Sequence, residues 1–225
     1  MQPLVSCIMP TRGRPLFARK AITCFLEQNY PKRELIILDD EDDPSLKIIV
    51  GMIDGVRYVR TGERLTIAEK RNECCKRASG EIIMHWDDDD WSAPWRISIQ
   101  VGLLQDSGKA VTGFHSMLFY DHARSRALKY INDRSYAIGT SLCYRKDWWQ
   151  AHPFRNGTPD PNVGEDGQFK DEANNCGELY SVDADLVMVA TIHPGNTSIR
   201  GVDRPAQTSY RSVGISALPA AFFSA

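Results

Sequence analysis

Apolar positions in the first third of the chain fall into short unbroken runs, each closed by a turn signal and followed by residues with helical spacing. Leu4 to Met9 reads as a buried strand, broken by Pro10-Thr11-Arg12-Gly13-Arg14-Pro15. Pro15 suits a first helical turn, and Phe17, Ala21, Ile22 and Phe25 share one face of the helix that follows. Pro31 closes that segment. Glu34 to Leu38 is a second strand running into Asp39-Asp40-Glu41-Asp42-Asp43, and Val56 to Arg60 is a third. Thr66-Ile67-Ala68-Glu69 has the spacing of a capping box, which predicts a helix to about Ala78, stopped at Gly80. Ile82 to Trp86 is the next strand, and it ends in Asp87-Asp88-Asp89-Asp90.

Beyond residue 100 the alternation is less regular. Ala110 to Tyr120, Ala127 to Ile131 and Tyr136 to Arg145 read as strands, followed by Asp147-Trp148-Trp149. Val163-Gly164-Glu165-Asp166-Gly167 precedes a helix, and Leu179 to Ser181 and Leu186 to Ile192 are the last strands. The pattern predicts one α/β domain over 1–225: a Rossmann-like, mostly parallel half over about 1–100, a mixed-sheet half over about 101–210, and a small apolar tail over 211–225. In open α/β sheets ligands bind outside the C-terminal ends of the strands, where both acidic runs fall.

Composition narrows the class. The chain has 225 residues, 42% of them hydrophobic, which suffices for one sizeable core. A formal net charge of -2 with scattered basic residues gives no footprint for nucleic acid. No apolar run is long enough to span a bilayer, and the N-terminus reads as a strand and not as a secretory signal. Cys7, Cys24, Cys74, Cys75, Cys143 and Cys176 lack Cys-x-x-Cys spacing, so reduced thiols in a cytoplasmic protein are expected.

Four adjacent carboxylates repel one another unless water, donors or a cation spread their charge. Hard oxygen ligands of this kind suit Mg2+ or Mn2+, which keep part of their shell for water and substrate phosphates. A solvated acidic turn is the structural alternative.

Val5-Ser6-Cys7-Ile8-Met9-Pro10-Thr11, Leu38-Asp39-Asp40, Ala78-Ser79-Gly80-Glu81-Ile82-Ile83 and Asp87-Asp88-Asp89-Asp90 resemble, in order and spacing, the family 2 glycosyltransferases of GT-A fold. Gly164-Glu165-Asp166 and His193 fall where that family places a base and a further metal ligand. The resemblance implies an inverting, metal-dependent transfer of one sugar from a nucleotide-diphosphate sugar, a UDP-sugar first among them, to a saccharide or lipid-linked acceptor. It implies Asp89 as direct metal ligand with His193 completing the site, and Asp87 or Asp88 facing the ribose or reaching the ion through water. Asp90 would only shape the turn. Asp40 would meet the nucleobase, Thr11 would line the nucleotide pocket, and Arg71 would lie near the base or phosphates. Asp166 would be the general base, with Glu165 orienting the acceptor or the loop. Gly139-Thr140-Ser141 resembles the small-residue loop that lets the donor sugar approach the backbone.

Structural roles compete for several of these positions: surface charge for Arg71, helix capping for Asp166, an ordinary turn for Gly139. Trp86 and one of Trp148 or Trp149 are expected in the core, with Trp91 and Trp95 the candidates for stacking on an acceptor. Processive members of the family carry a Gln-x-x-Arg-Trp segment and membrane helices. Neither is present, so a cytoplasmic enzyme is expected, in peripheral contact at most with the inner face of a membrane and without a further C-terminal domain. A sugar-phosphate nucleotidyltransferase would want a glycine-rich loop after the first strand, where only Gly13 stands. A non-catalytic nucleotide- or glycan-binding module would have no need of a base opposite a metal site.

Overall fold

The computed structural model describes residues 2–51, 53–158, 160, 164–196 and 209–223. Val163 of the predicted helix-entry motif and the last two residues of the predicted tail lie outside them.

Four parallel strands form the sheet centre: β1 (Val5–Thr11), β2 (Arg33–Asp39), β3 (Val56–Arg60) and β4 (Ile82–His85), in the order β4-β1-β2-β3. Every residue of β1 and β4 is buried, which is why these strands read as continuous apolar runs. Helix α1 (Pro15–Leu26) packs Ala18, Ala21, Ile22 and Phe25 on one sheet face, where Phe25 meets Trp86 edge to face at 5.9 Å. Phe25→Ala would cost about 3–5 kcal/mol through lost transfer energy and a cavity. Short α2 (Ser45–Val50) lies on the same side and seats Leu46 and Val50 in that core.

Helix α3 (Ile67–Arg77) covers the opposite face. Its predicted capping box forms: Glu69 N–H donates to Thr66 Oγ1, and Thr66 N–H donates to the Glu69 carboxylate. The turn from α3 into β4 needs Gly80, since a Cβ there would lie 2.5 Å from the Leu4 carbonyl oxygen.

The two-residue β5 (Trp91–Ser92) and α4 (Arg96–Ser107) lead into β6 (Val111–Asp121), the long strand that organises the second half. It pairs antiparallel with β7 (Arg126–Ile131) and β8 (Cys143–Arg145), and parallel with β9 (Leu179–Asp183) and β10 (Met188–Ile192). β8 joins this half to β4 in antiparallel register, so one continuous sheet carries both. Helices α5 (Lys146–Ala151) and α6 (Glu165–Asn175) complete the α3 side.

Three predicted boundaries are corrected. Tyr136 to Arg145 is not one strand: Gly139–Ser141 forms a 3-10 turn in which the Ser141 hydroxyl donates to the Ile138 carbonyl, and only Cys143–Arg145 is extended. Strand β10 starts at Met188, because Leu186 sits at φ +65° in the preceding turn. The predicted tail begins as a strand, β11 (Tyr210–Val213), antiparallel to β7; the chain then returns through Ile215–Ala217 and Ala220–Phe223, with Leu218 buried and Phe222 against Tyr120.

Two tryptophans meet the core expectation, Trp86 at 1% and Trp149 at 7% exposed. All six cysteines are free thiols, five buried and Cys176 exposed. Among the described residues no helix is long and apolar enough to cross a membrane.

Candidate functional site

The sheet topology brings the C-terminal ends of β1, β2, β4 and β10 together with the 3-10 turn at Gly139 and the start of α6. The carboxylates of the acidic run divide among these elements, with Arg14 shared by Asp88 and Asp89. Asp87 faces Arg71 of α3, whose guanidinium nitrogens lie 3.5 Å from Asp87 Oδ1. Asp88 accepts from Thr11 Oγ1 at 2.5 Å and pairs with Arg14 at 2.9 Å. Asp89 lies 3.0 Å from Arg14, 3.1 Å from His193 Nε2 and 3.1 Å from Asn196 Nδ2. Asp90 accepts from Thr140 Oγ1 at 2.6 Å and from Thr191 N–H at 2.9 Å. The run is therefore an array held by guanidinium groups and by hydroxyl and backbone donors, not a solvated turn.

The four acids differ electrostatically. Burial works against the Asp87 charge, but Arg71, together with His85, Thr140 and Arg96, outweighs it and holds the carboxyl below its usual range. Asp88 is 1% exposed, and burial, reinforced by neighbouring Asp89, pushes its carboxyl up to about 7 against the pull of Arg14 and Thr11. Asp90 spends both oxygens on the turn and β10.

Asp89 and His193 form the candidate metal pair. His193 follows β10 and stacks on Phe17 of α1 with ring centroids 4.4 Å apart. Gly195 N–H donates to His193 Nδ1, so in this state the ring hydrogen sits on Nε2 and faces Asp89. A hard carboxylate oxygen and an imidazole on one point fit Mn2+ or Mg2+, ions that complete their shells with water and phosphate oxygens. To ligate through Nε2, His193 would carry its hydrogen on Nδ1 instead. Among the described residues no group of three or more His, Cys, Asp or Glu converges, so protein ligands alone would leave most of the shell to other oxygens.

At the end of β2 the carboxylate of Asp40 is held by protein groups. The side chain of Asp40 is 1% exposed, with Oδ1 paired to Lys70 and Oδ2 accepting from Leu65 N–H at 3.0 Å. Lys70 also donates to the Thr11 carbonyl oxygen at 2.9 Å. In this arrangement Asp40 braces the pocket floor through Lys70 and leaves neither oxygen unengaged.

Asp166 and Gly139 are brought into contact. A Cβ on Gly139 would fall 1.5 Å from Asp166 Oδ2, so the space a side chain would take is filled by the Asp166 carboxylate. Gly139 is required by that close approach. Glu165, the other acid of the pair, is bound by Arg71 Nε at 2.9 Å; burial pushes its carboxyl up while Arg71 opposes the shift.

A cavity of about 370 Å³ adjoins Asp88, Asp89 and Asp90 on the α1 side, walled by Phe17, Lys20, Trp91, Tyr120, His122 and Phe222. Trp91 is only 6% exposed, so it offers this cavity an edge and not an open stacking platform; Trp95 is 45% exposed and does not line it.

Sequence reasoning gave no role to Arg14, Lys70, Thr191 or Asn196. Arg14 was within reach of it: an arginine three residues beyond a strand end, next to a helix-starting proline, faces whatever that edge binds.

The architecture and the convergent edge define a GT-A fold, which solved structures share. TarS of S. aureus in complex with UDP-GlcNAc is similar to this chain with a TM-score of 0.68 and 15% identity, over 89% of this chain and 63% of that one. The mannosyltransferase PcManGT from Pyrobaculum calidifontis, in complex with GDP-Man and Mn2+, gives a TM-score of 0.68 at 16% identity, over 88% and 59%. Residues 6–158 match the family description Glycosyl transferase family 2, and the chain belongs to that family. Among its relatives, the putative glycosyltransferase EpsE of Bacillus subtilis is 26% identical over 162 residues, 68% of this chain and 58% of that protein. An uncharacterized glycosyltransferase of Haemophilus influenzae is 31% identical over 114 residues, 49% and 46%. The chain thus spans about half the length of these relatives.

Proposed function

We propose that this chain is a metal-dependent, inverting glycosyltransferase that moves one sugar from a nucleotide-diphosphate sugar to a hydroxyl of a saccharide or lipid-linked acceptor. The observation that carries the reading is the meeting of Asp89 and His193, 104 positions apart, at the strand edge where Arg14, Thr11 and Arg71 also converge. Family membership and the nucleotide-sugar complexes of TarS and PcManGT support it, the latter also supporting the metal.

In this reading Thr11, Lys70 and Asp40 shape the nucleotide pocket, and Arg71 and Arg14 supply positive charge near the diphosphate. Asp89 and His193 would hold Mn2+ or Mg2+, which supplies charge neutralisation at the leaving diphosphate when bound. Asp166 takes the proton from the acceptor hydroxyl as that oxygen attacks the anomeric carbon from the face opposite the departing diphosphate, so the configuration inverts. Glu165, tied to Arg71, orients the α6 start that carries Asp166. The aromatic cavity beside Asp89 is a wall against which the acceptor can pack. A UDP-sugar is our first choice of donor, and we place the reaction in the cytoplasm, at most in peripheral contact with the membrane.

The test is nucleotide release from UDP-glucose, UDP-GlcNAc and GDP-mannose with a panel of saccharide and lipid-linked acceptors, in Mn2+, Mg2+ or EDTA. One donor should turn over in the divalent metals and stop in EDTA, with a product of inverted anomeric configuration. Turnover insensitive to chelation, or a retained configuration, would refute the metal or inverting part of the proposal.

A further inference from the structure

Arg96, at the start of α4, is 1% exposed, a cation placed almost wholly inside the fold. Such a charge is tolerated only where its donors are satisfied. Here they are: Nε donates to Gln100 Oε1 at 3.1 Å, Nη1 to Ser92 Oγ at 2.9 Å, and Nη2 to the His85 carbonyl at 2.7 Å and the Thr140 carbonyl at 3.0 Å. The guanidinium also lies over the Trp86 ring, 4.9 Å from its centroid.

The two carbonyls joined by Nη2 belong to different halves of the site. His85 is the last residue of β4, immediately ahead of Trp86 and the acidic run. Thr140 lies in the turn whose Gly139 abuts Asp166 and whose hydroxyl holds Asp90. A second link runs alongside, since the His85 ring Nδ1 lies 2.7 Å from the Gly139 carbonyl oxygen. Only a planar fork with several fixed donors can bind both carbonyls and two side chains at once; a lysine ammonium on a flexible stem cannot.

We infer that Arg96 is a positioning residue that sets the spacing between the Asp89 side and the Asp166 side of the site, without touching substrate. The inference rests on the glycosyltransferase reading for its catalytic consequence, but its geometric core is independent of it. Displacement by about 1 Å between reacting groups costs on the order of 10²-fold in rate. Arg96→Lys preserves the charge and loses the fork, so nucleotide affinity should stay near that of wild type while kcat falls on the order of 10²-fold. A residue that only stabilises the fold would lower the fraction of folded protein and leave kcat per folded site unchanged.

The test compares the full chain as wild type, Arg96→Lys, Arg96→Met and the core control Cys143→Ala, each checked for folding by circular dichroism. UDP and GDP binding with Mn2+ is measured by calorimetry and kcat by nucleotide release. In parallel, proton NMR follows the His85 Nδ1 hydrogen, which the Gly139 carbonyl should hold as a slowly exchanging downfield signal. That signal should persist in Cys143→Ala and shift or vanish in both Arg96 variants. An unmoved His85 signal in a folded Arg96→Met overturns the inference whether or not any sugar is transferred. An unchanged kcat in Arg96→Lys overturns it within the enzyme reading. A wild type that binds and turns over no nucleotide sugar refutes that reading alone, and the NMR result still decides whether Arg96 sets the spacing.

Discussion

Arg71 Nε lies 2.9 Å from Glu165 Oε1 while its terminal nitrogens face Asp87, so one buried guanidinium of α3 joins the acidic run to the start of α6. Two carboxylates at this depth depend on that cation for their charge, and Arg71 stays protonated between them despite its burial. Arg71→Met would strand both acids and is expected to cost about 3–5 kcal/mol in denaturant unfolding. Arg71→Lys, with a point charge and no fork, should fall between the two. A loss below 1 kcal/mol for Arg71→Met would mean that Glu165 and Asp87 are stabilised by other groups.

Neighbouring carboxylates of the run should separate cleanly by experiment. Asp89→Asn is expected to keep the fold and lose the rise in thermal stability given by Mn2+ with the preferred nucleotide diphosphate. Asp90→Asn should do the reverse. It disturbs the bonds to Thr140 and Thr191, at a cost of about 1–3 kcal/mol, while the metal-linked rise persists. Differential scanning fluorimetry of both variants, with and without Mn2+ and nucleotide, distinguishes them; equal behaviour would contradict the division of labour between the two acids.

Gly139→Ala offers a way to move Asp166 without mutating it. The new Cβ would overlap Asp166 Oδ2, so the carboxylate must swing away from the turn. Both Gly139→Ala and Asp166→Asn should lower kcat by about 10²–10⁴-fold with nucleotide affinity retained, as expected for loss of a general base. Full transfer by a folded Asp166→Asn would remove Asp166 from the base position.

Strands β1, β2 and β4 were legible because parallel strands buried on both faces leave continuous apolar runs, and Pro10, Pro31, Thr66 and Gly80 punctuate them locally; the six-residue α2 is too short to show a helical period and was not read. Helix α4 was not legible: Ile97, Val101 and Leu104 carry its helical stripe, but buried Arg96 and Gln100 interrupt it, and Ile99, Val101 and Leu103 mimic strand alternation. The candidate residues were legible as types, since carboxylates at strand ends announce a cation or donors. Their partners were not. Asp90 meets groups 50 and 101 positions away and Asp89 meets Asn196 across 107, and such pairings exist only once β10 is laid beside β5 and β6. Asp40 is a further case, meeting Lys70 and Leu65 30 and 25 positions away.

His85 makes the stability of this protein sensitive to mild acid. Its Nδ1 donates to the Gly139 carbonyl and its buried Nε2 faces the Tyr144 hydroxyl at 3.4 Å. Burial, aided by the Arg71 charge, lowers its pKa well below the ordinary 6.5. Above pH 6.5 both folded and unfolded chains keep this ring neutral, so its contribution is constant. As pH falls below 6.5 the unfolded chain gains a proton that the folded chain refuses, and stability is lost at up to about 1.4 kcal/mol per pH unit until the folded pKa is reached. Asp88 acts in the opposite sense: with its folded pKa near 7, its ionisation lowers stability as pH rises from about 4 to 7. The quantity to measure is therefore the difference in unfolding free energy between wild type and His85→Gln, from urea titrations at pH 7.5, 6.5, 5.5 and 5.0. Wild type should lose its advantage progressively below pH 6.5, while Asp88 cancels from the comparison. His122, whose pKa burial and His193 also lower, is common to both proteins and cancels likewise. A difference independent of pH across this range would mean that His85 is protonated as readily in the folded chain as in the unfolded one, with the Tyr144 hydroxyl accepting the new Nε2 hydrogen while Nδ1 keeps its bond to Gly139.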